Sequence, residues 1–234
     1  MNKYNLKDKE TIKAIMKKID LKGFHCFTSE SQFRDLFALT IAQNNSNFDI
    51  FPEFSPPKSA YPGTPYFNNK KSLHFDLLVT DKSTNDKFLF EFKYKTKALE
   101  NVKVMDQCFD LKNQNDFTNG RYDVWEDVYR IERFSASNNG GFRITCGYVI
   151  FLTNYKGYLI EPSPDCKSRF FSLNEGDHEK GEKNWIRLDA DYKGIHDSNH
   201  EKLDILNAYT FEHEKYSTVN GSEFKYLLIR VCGS

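Results

Sequence analysis

The run FLFEFKYK at residues 88–95 limits the folds open to this chain more than any other stretch. Successive side chains along a strand point to opposite faces. Phe88, Phe90, Phe92 and Tyr94 therefore share one face, which is wholly aromatic. Leu89, Glu91, Lys93 and Lys95 share the other, so a strand built to lie against a core also carries a carboxylate and two ammonium groups. The segment LHFDLLV (73–79) precedes it across the polar turn DKSTNDK, and the pair reads as a β-hairpin with a loop longer than the two-residue turns. By the same alternation Leu73, Phe75, Leu77 and Val79 share one face of the first strand, and His74, Asp76 and Leu78 the other. Pairing the strands then sets Asp76 beside Glu91 and Lys93.

The remaining segments supply layers for such a hairpin. Residues 8–20 place Ile12, Ile15, Met16 and Ile19 on one helical stripe. Ser29 followed by Gln32 is a capping-box pattern, and the helix it opens carries Phe33, Leu36, Phe37 and Ile41 on one face. Glu30 falls at the end of that stripe. Residues 48–54 read as a short extended piece, and the run rich in Pro, Gly and Asn after it as a loop. Residues 99–120 are polar and predict at most partial helix. Residues 121–134 have Val124, Val128 and Ile131 at helical spacing, ended by SNNGG. FRITCGYVIFLT (142–153) predicts a central strand, with GYLIEP beside it. Residues 172–204 read as a solvated polar insertion, and 209–217 with 223–231 as a terminal hairpin. The sum is a single α/β domain over 1–234, with a mixed central β-sheet flanked by helices.

Composition narrows the setting. Lys and Arg total 33 against 33 Asp and Glu, a neutral balance that argues against non-specific coating of nucleic acid yet leaves room for a local basic groove. The five cysteines are dispersed without a C-x-x-C pair, which fits reduced thiols better than a disulfide framework or a zinc site. The Lys-rich N-terminus lacks the apolar core of a signal peptide, and no stretch reaches the roughly 20 apolar residues of a membrane span. The expected setting is the cytoplasm.

Two carboxylates set side by side repel unless a positive charge lies between them. Asp76 and Glu91 thus predict a hard divalent cation, Mg²⁺ or Mn²⁺, held by oxygen ligands. Lys93, two residues from Glu91 on the same face, suits orientation of an attacking water or compensation of charge in a phosphoryl transition state. The chemistry indicated is phosphodiester hydrolysis.

Asp76, fourteen intervening residues, then Glu91-Phe92-Lys93, resembles the signature of the PD-(D/E)xK nuclease superfamily, with Phe75 where the name-giving pattern has Pro. LKNQNDFTNGRYDVWEDVYRIERF, GYVIFLTN and the closing EKYSTV and FKYLLI are similar to a bacterial subgroup of that superfamily, over most of residues 28–231. The resemblance implies a restriction-endonuclease-like fold. It also implies a metal site of Asp76, Glu91 and the Phe92 carbonyl, catalysis by Lys93, and a further carboxylate from Glu30, with Glu53 as its substitute. Lys112, Asn113, Gln114, Arg121, Asp123, Asp127, Arg130 and Glu132 follow as additional site candidates. Lys95, Lys112, Asn113, Gln114, Arg121 and Arg130 are the expected nucleic-acid contacts.

Set beside these are plainer readings. Glu91 and Lys93 could be an exposed strand face of alternating charge, and the charges of 121–132 an ion-paired helix surface. His74 reads as a polar neighbour rather than a base. The functional expectation is a metal-dependent endodeoxyribonuclease, in restriction or antiviral defence by fold-level analogy, with a homodimer serving if both strands of a duplex are cut. The alternatives are a nuclease-fold binding module with weak or lost catalysis, and a nuclease for RNA or branched DNA.

Overall fold

The computed structural model describes residues 4–68, 72–136, 142–186 and 201–231. Two helices open the chain. Helix α1 (Lys9–Leu21) is capped by Asp8, whose carboxylate accepts from the Glu10 N–H, and it buries Ile12, Ile15, Met16 and Ile19. Helix α2 (Glu30–Asn44) starts at Ser29, whose hydroxyl accepts from the Gln32 N–H at 3.1 Å. The Gln32 side chain reaches back to the Thr28 N–H at 2.7 Å, one residue upstream of the usual capping-box partner.

Strands β1 (Phe48–Phe54), β2 (Phe75–Asp81) and β3 (Lys87–Lys95) follow as an antiparallel meander, with the four-residue helix α3 (Pro65–Asn68) between the first two. The polar segment after β3 begins as a second hairpin, β4 (Leu99–Val104) with β5 (Gln107–Leu111), and is helical only at its end, from Phe117. Val102, Val104 and Leu111 are buried there against the main core, so a period of two prevails. Helix α4 (Phe117–Ala136) and strand β6 (Cys146–Thr153) come next. Four three-residue strands are then β7 (Gly176–His178), β8 (Gly181–Lys183), β9 (Leu203–Ile205) and β10 (Tyr209–Phe211). The chain closes with β11 (His213–Val219) and β12 (Ser222–Val231).

The main sheet has the order β1-β2-β3-β6-β12-β11. Its one parallel pairing joins β3 to β6, and the intervening chain carries the β4–β5 hairpin and α4. Every residue of β6 is buried, as befits a central strand with both faces covered. Helices α1 and α2 cover one face, where Phe33 and Phe37 lie 5.0 and 5.3 Å from Phe92 and Phe90. Helix α4 covers the other with Val124, Val128 and Ile131 against Leu89, Val149 and Phe151. A mixed α/β architecture with a central sheet between helices is therefore what this chain forms.

Local departures have physical reasons. Phe75 leaves the face shared by Leu77 and Val79 and turns toward α4, with its ring 5.1 Å from Phe134 and 5.2 Å from the Arg130 guanidinium. Alternation thus breaks at Asp76. Opposite it, between the pairs Pro52–Leu77 and Phe54–Phe75, Glu53 adopts a left-handed φ of 52°. GYLIEP forms a 3-10 turn, Lys156–Tyr158, because Tyr158 folds under α4 and donates to the Gln114 carbonyl at 2.8 Å. The predicted strand 209–217 splits at Glu212, since Tyr209–Phe211 pairs with β7. The stretch 172–204 is less solvated than its composition suggests. Trp185 stacks on Tyr122 at 5.3 Å, and Leu203 and Ile205 are buried against α4. The SNNGG break and residues 187–200 lie outside the described residues. Among the described residues, no helix is long and apolar enough to cross a membrane.

Gly147 in β6 sits directly beneath Ile131 of α4, so closely that a Cβ would overlap the Ile131 side chain. Gly147→Ala is expected to lower stability by about 1–3 kcal/mol through overpacking, read as a fall in the denaturant midpoint at unchanged m-value.

Candidate active site

Glu91 lies in the middle of β3, next to the central strand, and is only 2% exposed. Its register neighbours are Val149 of β6 on one side and, just beyond the last bridged pair Leu77–Phe90, Asp76 on the other. The two carboxylates are tied through the backbone. Asp76 Oδ2 accepts from the Phe92 N–H at 2.7 Å, and Glu91 Oε2 accepts from the Asp76 N–H at 3.3 Å. The break in strand alternation at Asp76 is what turns its carboxylate onto the β3 backbone.

Helix α4 closes the charged face from above. Asp127 and Arg130, one turn apart, share the helix face toward β3. Arg130 Nη2 stands 3.2 Å from Glu91 Oε1 and also donates to the His74 carbonyl, while Arg130 Nη1 donates to Asp127 Oδ1 at 3.2 Å. Asp127 Oδ2 meets Lys93 Nζ at 2.8 Å, and Lys93 Nζ also lies 3.4 Å from the Phe92 carbonyl. Glu91, Arg130, Asp127 and Lys93 thus form a continuous chain of alternating charge between strand and helix.

Glu30, at the first turn of α2, arrives from the other side of the sheet's end. Its Oε2 accepts from the Tyr94 N–H at 2.8 Å, and its charge interacts with those of Lys93 and Asp76. Glu53 goes elsewhere, with its carboxylate 2.9 Å from Arg34 Nη1. Of the two carboxylates weighed for this place, Glu30 is the one brought to the cluster.

Burial dominates the electrostatics. It pushes the Glu91 carboxyl well above its ordinary value; Arg130 pulls it back, and Asp127 and Asp76 raise it again. Burial likewise pushes Asp127 up to about 6 against the pull of Lys93 and Arg130. Burial also raises Glu30, opposed by Lys93 and the Tyr94 N–H. The Lys93 ammonium is disfavoured by burial, but Asp127, Glu91 and Glu30 outweigh that and hold its pKa above the usual lysine value. Lys93 is therefore a fixed cation, suited to donate hydrogen bonds rather than to accept a proton.

Four carboxyl groups (Asp76, Glu91, Glu30 and Asp127) gather around Lys93 and Arg130, and Lys95 also acts on Glu30. Glu91 Oε1 is buried and accepts no hydrogen bond, with only the Arg130 guanidinium beside it. Clustered carboxyl oxygens are the kind of donor a hard divalent cation prefers. Among the described residues, no three His, Cys, Asp or Glu side chains converge as a ready-made cage. Mg²⁺ keeps several waters and needs only one or two carboxylates from the protein.

The remaining candidates fall into two groups. Lys95, Lys112 and Gln114 line a cleft of about 390 Å³ that begins at Glu30 and is bounded by Thr28 and Ser29 of the α2 entry. Thr96 fixes its floor by donating to the Lys112 carbonyl at 2.6 Å and receiving Gln114 Oε1 on its N–H at 3.0 Å. Lys95 stands 3.8 Å from Asp123, and Asn113 is exposed in the linker between β5 and α4. The others are taken up by the fold. Arg121, expected at a phosphate, is 4% exposed, and its Nη2 donates to the carbonyls of Gly157 and Ile160 at 2.6 and 3.3 Å. Glu132 is buried and accepts from the Leu206 and Asn207 N–H groups and the Tyr209 hydroxyl. Both ring nitrogens of His74 are engaged by Ser55 and Ser72. What residue spacing alone misses is this chain of ion pairs. Asp127 and Arg130 read as a solvated helix pair until the register of α4 over β3 is known. The β4–β5 wall of the cleft had a readable signal in the alternation of Val102 and Val104 with Lys103.

Searches against models of known protein families, curated proteins and solved structures find no match to this chain.

Asp127 gives the site a pH signature. Its folded pKa of about 6 lies above the unfolded value near 3.9. The folded protein then holds this proton more tightly, and the group's contribution to stability grows as pH falls from about 7 to about 4. Wild type is expected to gain stability relative to Asp127→Asn between pH 7 and pH 5, measured by denaturant unfolding at both.

Proposed function

We propose that this protein is a metal-dependent phosphodiesterase acting on nucleic acid, with DNA as the favoured substrate. The observation that carries the proposal is the tie between Asp76 and Glu91 beside a charged Lys93, with Glu30 held on the β3 backbone at Tyr94. Asp76 and Glu91, with the Phe92 carbonyl, would hold the ion, and Glu30 would complete the acidic surround. Bound there, Mg²⁺ or Mn²⁺ would polarise a phosphodiester and make a water more acidic. Lys93 would donate to the attacking water or to a non-bridging phosphate oxygen, offsetting charge that grows in the transition state. Lys95, Lys112 and Gln114 in the adjoining cleft would take the strand backbone, with the ammonium groups facing phosphates. The PD-(D/E)xK resemblance points to the same residues from the sequence side. A role in restriction or antiviral defence and a dimeric form are parts of the proposal that rest on analogy alone.

One assay separates this from a binding-module role. Plasmid, linear duplex, single-stranded DNA and RNA are incubated with Mg²⁺ or Mn²⁺. Wild type should cut at least one substrate, EDTA should abolish cutting, and Lys93→Ala and Asp76→Ala should each reduce the rate by at least about 100-fold. Cleavage that survives either substitution would refute the site. Mn²⁺ binding and nucleic-acid binding without cleavage would favour the module.

A further inference from the structure

Two α4 residues, Asp127 and Arg130, link Lys93 to Glu91 without belonging to the proposed metal ligands. Asp127 divides its carboxylate: Oδ2 stands 2.8 Å from Lys93 Nζ, and Oδ1 accepts from Arg130 at 3.2 Å. It is 2% exposed, so this double engagement takes place away from bulk water. Among the described residues, the other hydrogen-bond partner of Lys93 is a weak one, the Phe92 carbonyl at 3.4 Å. A lysine side chain has four rotatable bonds and a point charge with no directional fork, so without a partner it is poorly placed. An ammonium has three N–H donors. Asp127 can hold one and leave the others for a water or a phosphate oxygen. Arg130, by occupying the second oxygen, keeps the carboxylate from swinging away from Lys93.

We propose that Asp127 is a positioning residue that acts through Lys93, fixing its ammonium where a phosphodiester would be attacked; this rests on the phosphodiesterase reading above. Because Asp127 stands on a twenty-residue helix packed against the sheet, its own placement is set by the core rather than by a loop. A counter-ion that only offsets the burial of Lys93 would share the same distances but would affect catalysis differently.

A double-mutant cycle in single-turnover cleavage of a labelled duplex distinguishes the two. Asp127→Asn should lower kcat by about 10- to 100-fold, the cost of a misplaced group, with KM unchanged. Asp127→Glu, which keeps the charge, should retain more activity than Asp127→Asn. In a Lys93→Gln background the Asp127→Asn substitution should change kcat by less than about twofold. Losses that multiply independently, or a fall in kcat matched by a fall in thermal stability and equal in both backgrounds, would overturn the proposal. A second readout does not depend on turnover. Amine acylation followed by mass spectrometry should show Lys93 becoming severalfold more reactive in Asp127→Asn, with Lys95 unchanged. Unaltered Lys93 labelling would overturn the proposal whether or not the protein cuts. If wild type cuts nothing while Lys93 labelling responds, the Asp127–Lys93 link stands and it is the phosphodiesterase reading that fails.

Discussion

A carboxylate at the centre of a sheet sets the terms for the rest of this molecule. Glu91 sits on an internal strand, beside a strand buried on both faces, where desolvation of a lone charge costs several kcal/mol. Its environment must therefore bring in positive charge, and that charge must come from the layer above the sheet. Helix α4 does so with Arg130, and the same turn brings Asp127 to Lys93. The helix can come this close because β6 presents Gly147 beneath Ile131. An apolar contact and an ionic one are thus met by a single helix placement.

Buried ion pairs are weak sources of net stability, since the Coulombic gain is set against desolvation of both partners. A well-packed apolar face on β3 would serve the fold as well or better. The chain of Glu91, Arg130, Asp127 and Lys93 ties β3 to α4 at two points, Glu91 to Arg130 and Lys93 to Asp127. A shift of α4 along β3 would part both pairs. The opposite face of the same strand shows the contrast. There Phe88, Phe90, Phe92 and Tyr94 pack against α1, α2 and the terminal hairpin with no polar requirement beyond the Tyr94 hydroxyl, which receives the Phe27 N–H at 3.2 Å.

The sequence makes much of this visible, and the failures follow a pattern. Periodicity locates α1, α2, α4 and the strands that contain Phe90, Ile150 and Leu228, because each buries a regular face. The Ser29 cap and the meeting of Asp76 with Glu91 follow from rules that span a few residues. Asp127 and Arg130 escape that logic, since what they touch is set by how a helix lies on a sheet. Arg121 and Glu132 mislead for the related reason that a charged side chain can be consumed in holding backbone: Arg121 on the 157–160 turn, Glu132 on the segment after β9. Phe75 breaks its own alternation to pack its ring against Phe134 and the Arg130 guanidinium. The β4–β5 hairpin is obscured by its charge, although two valines and a leucine bury it.

The parallel pairing of β3 with β6 has a consequence for how the chain reaches this state. Every other neighbouring pair in the main sheet except β12 with β6 joins strands that follow one another in sequence. The β3–β6 pair must wait for an intervening hairpin and helix to be laid across the sheet, and closing so large a loop is slow compared with forming a local meander. Lys93 and Glu91 belong to the local meander, whereas Asp127 and Arg130 belong to the crossover between β3 and β6. The charged cluster therefore joins two parts of the chain that only the crossover brings together, and a change that loosens the crossover would separate its charges without touching any of them.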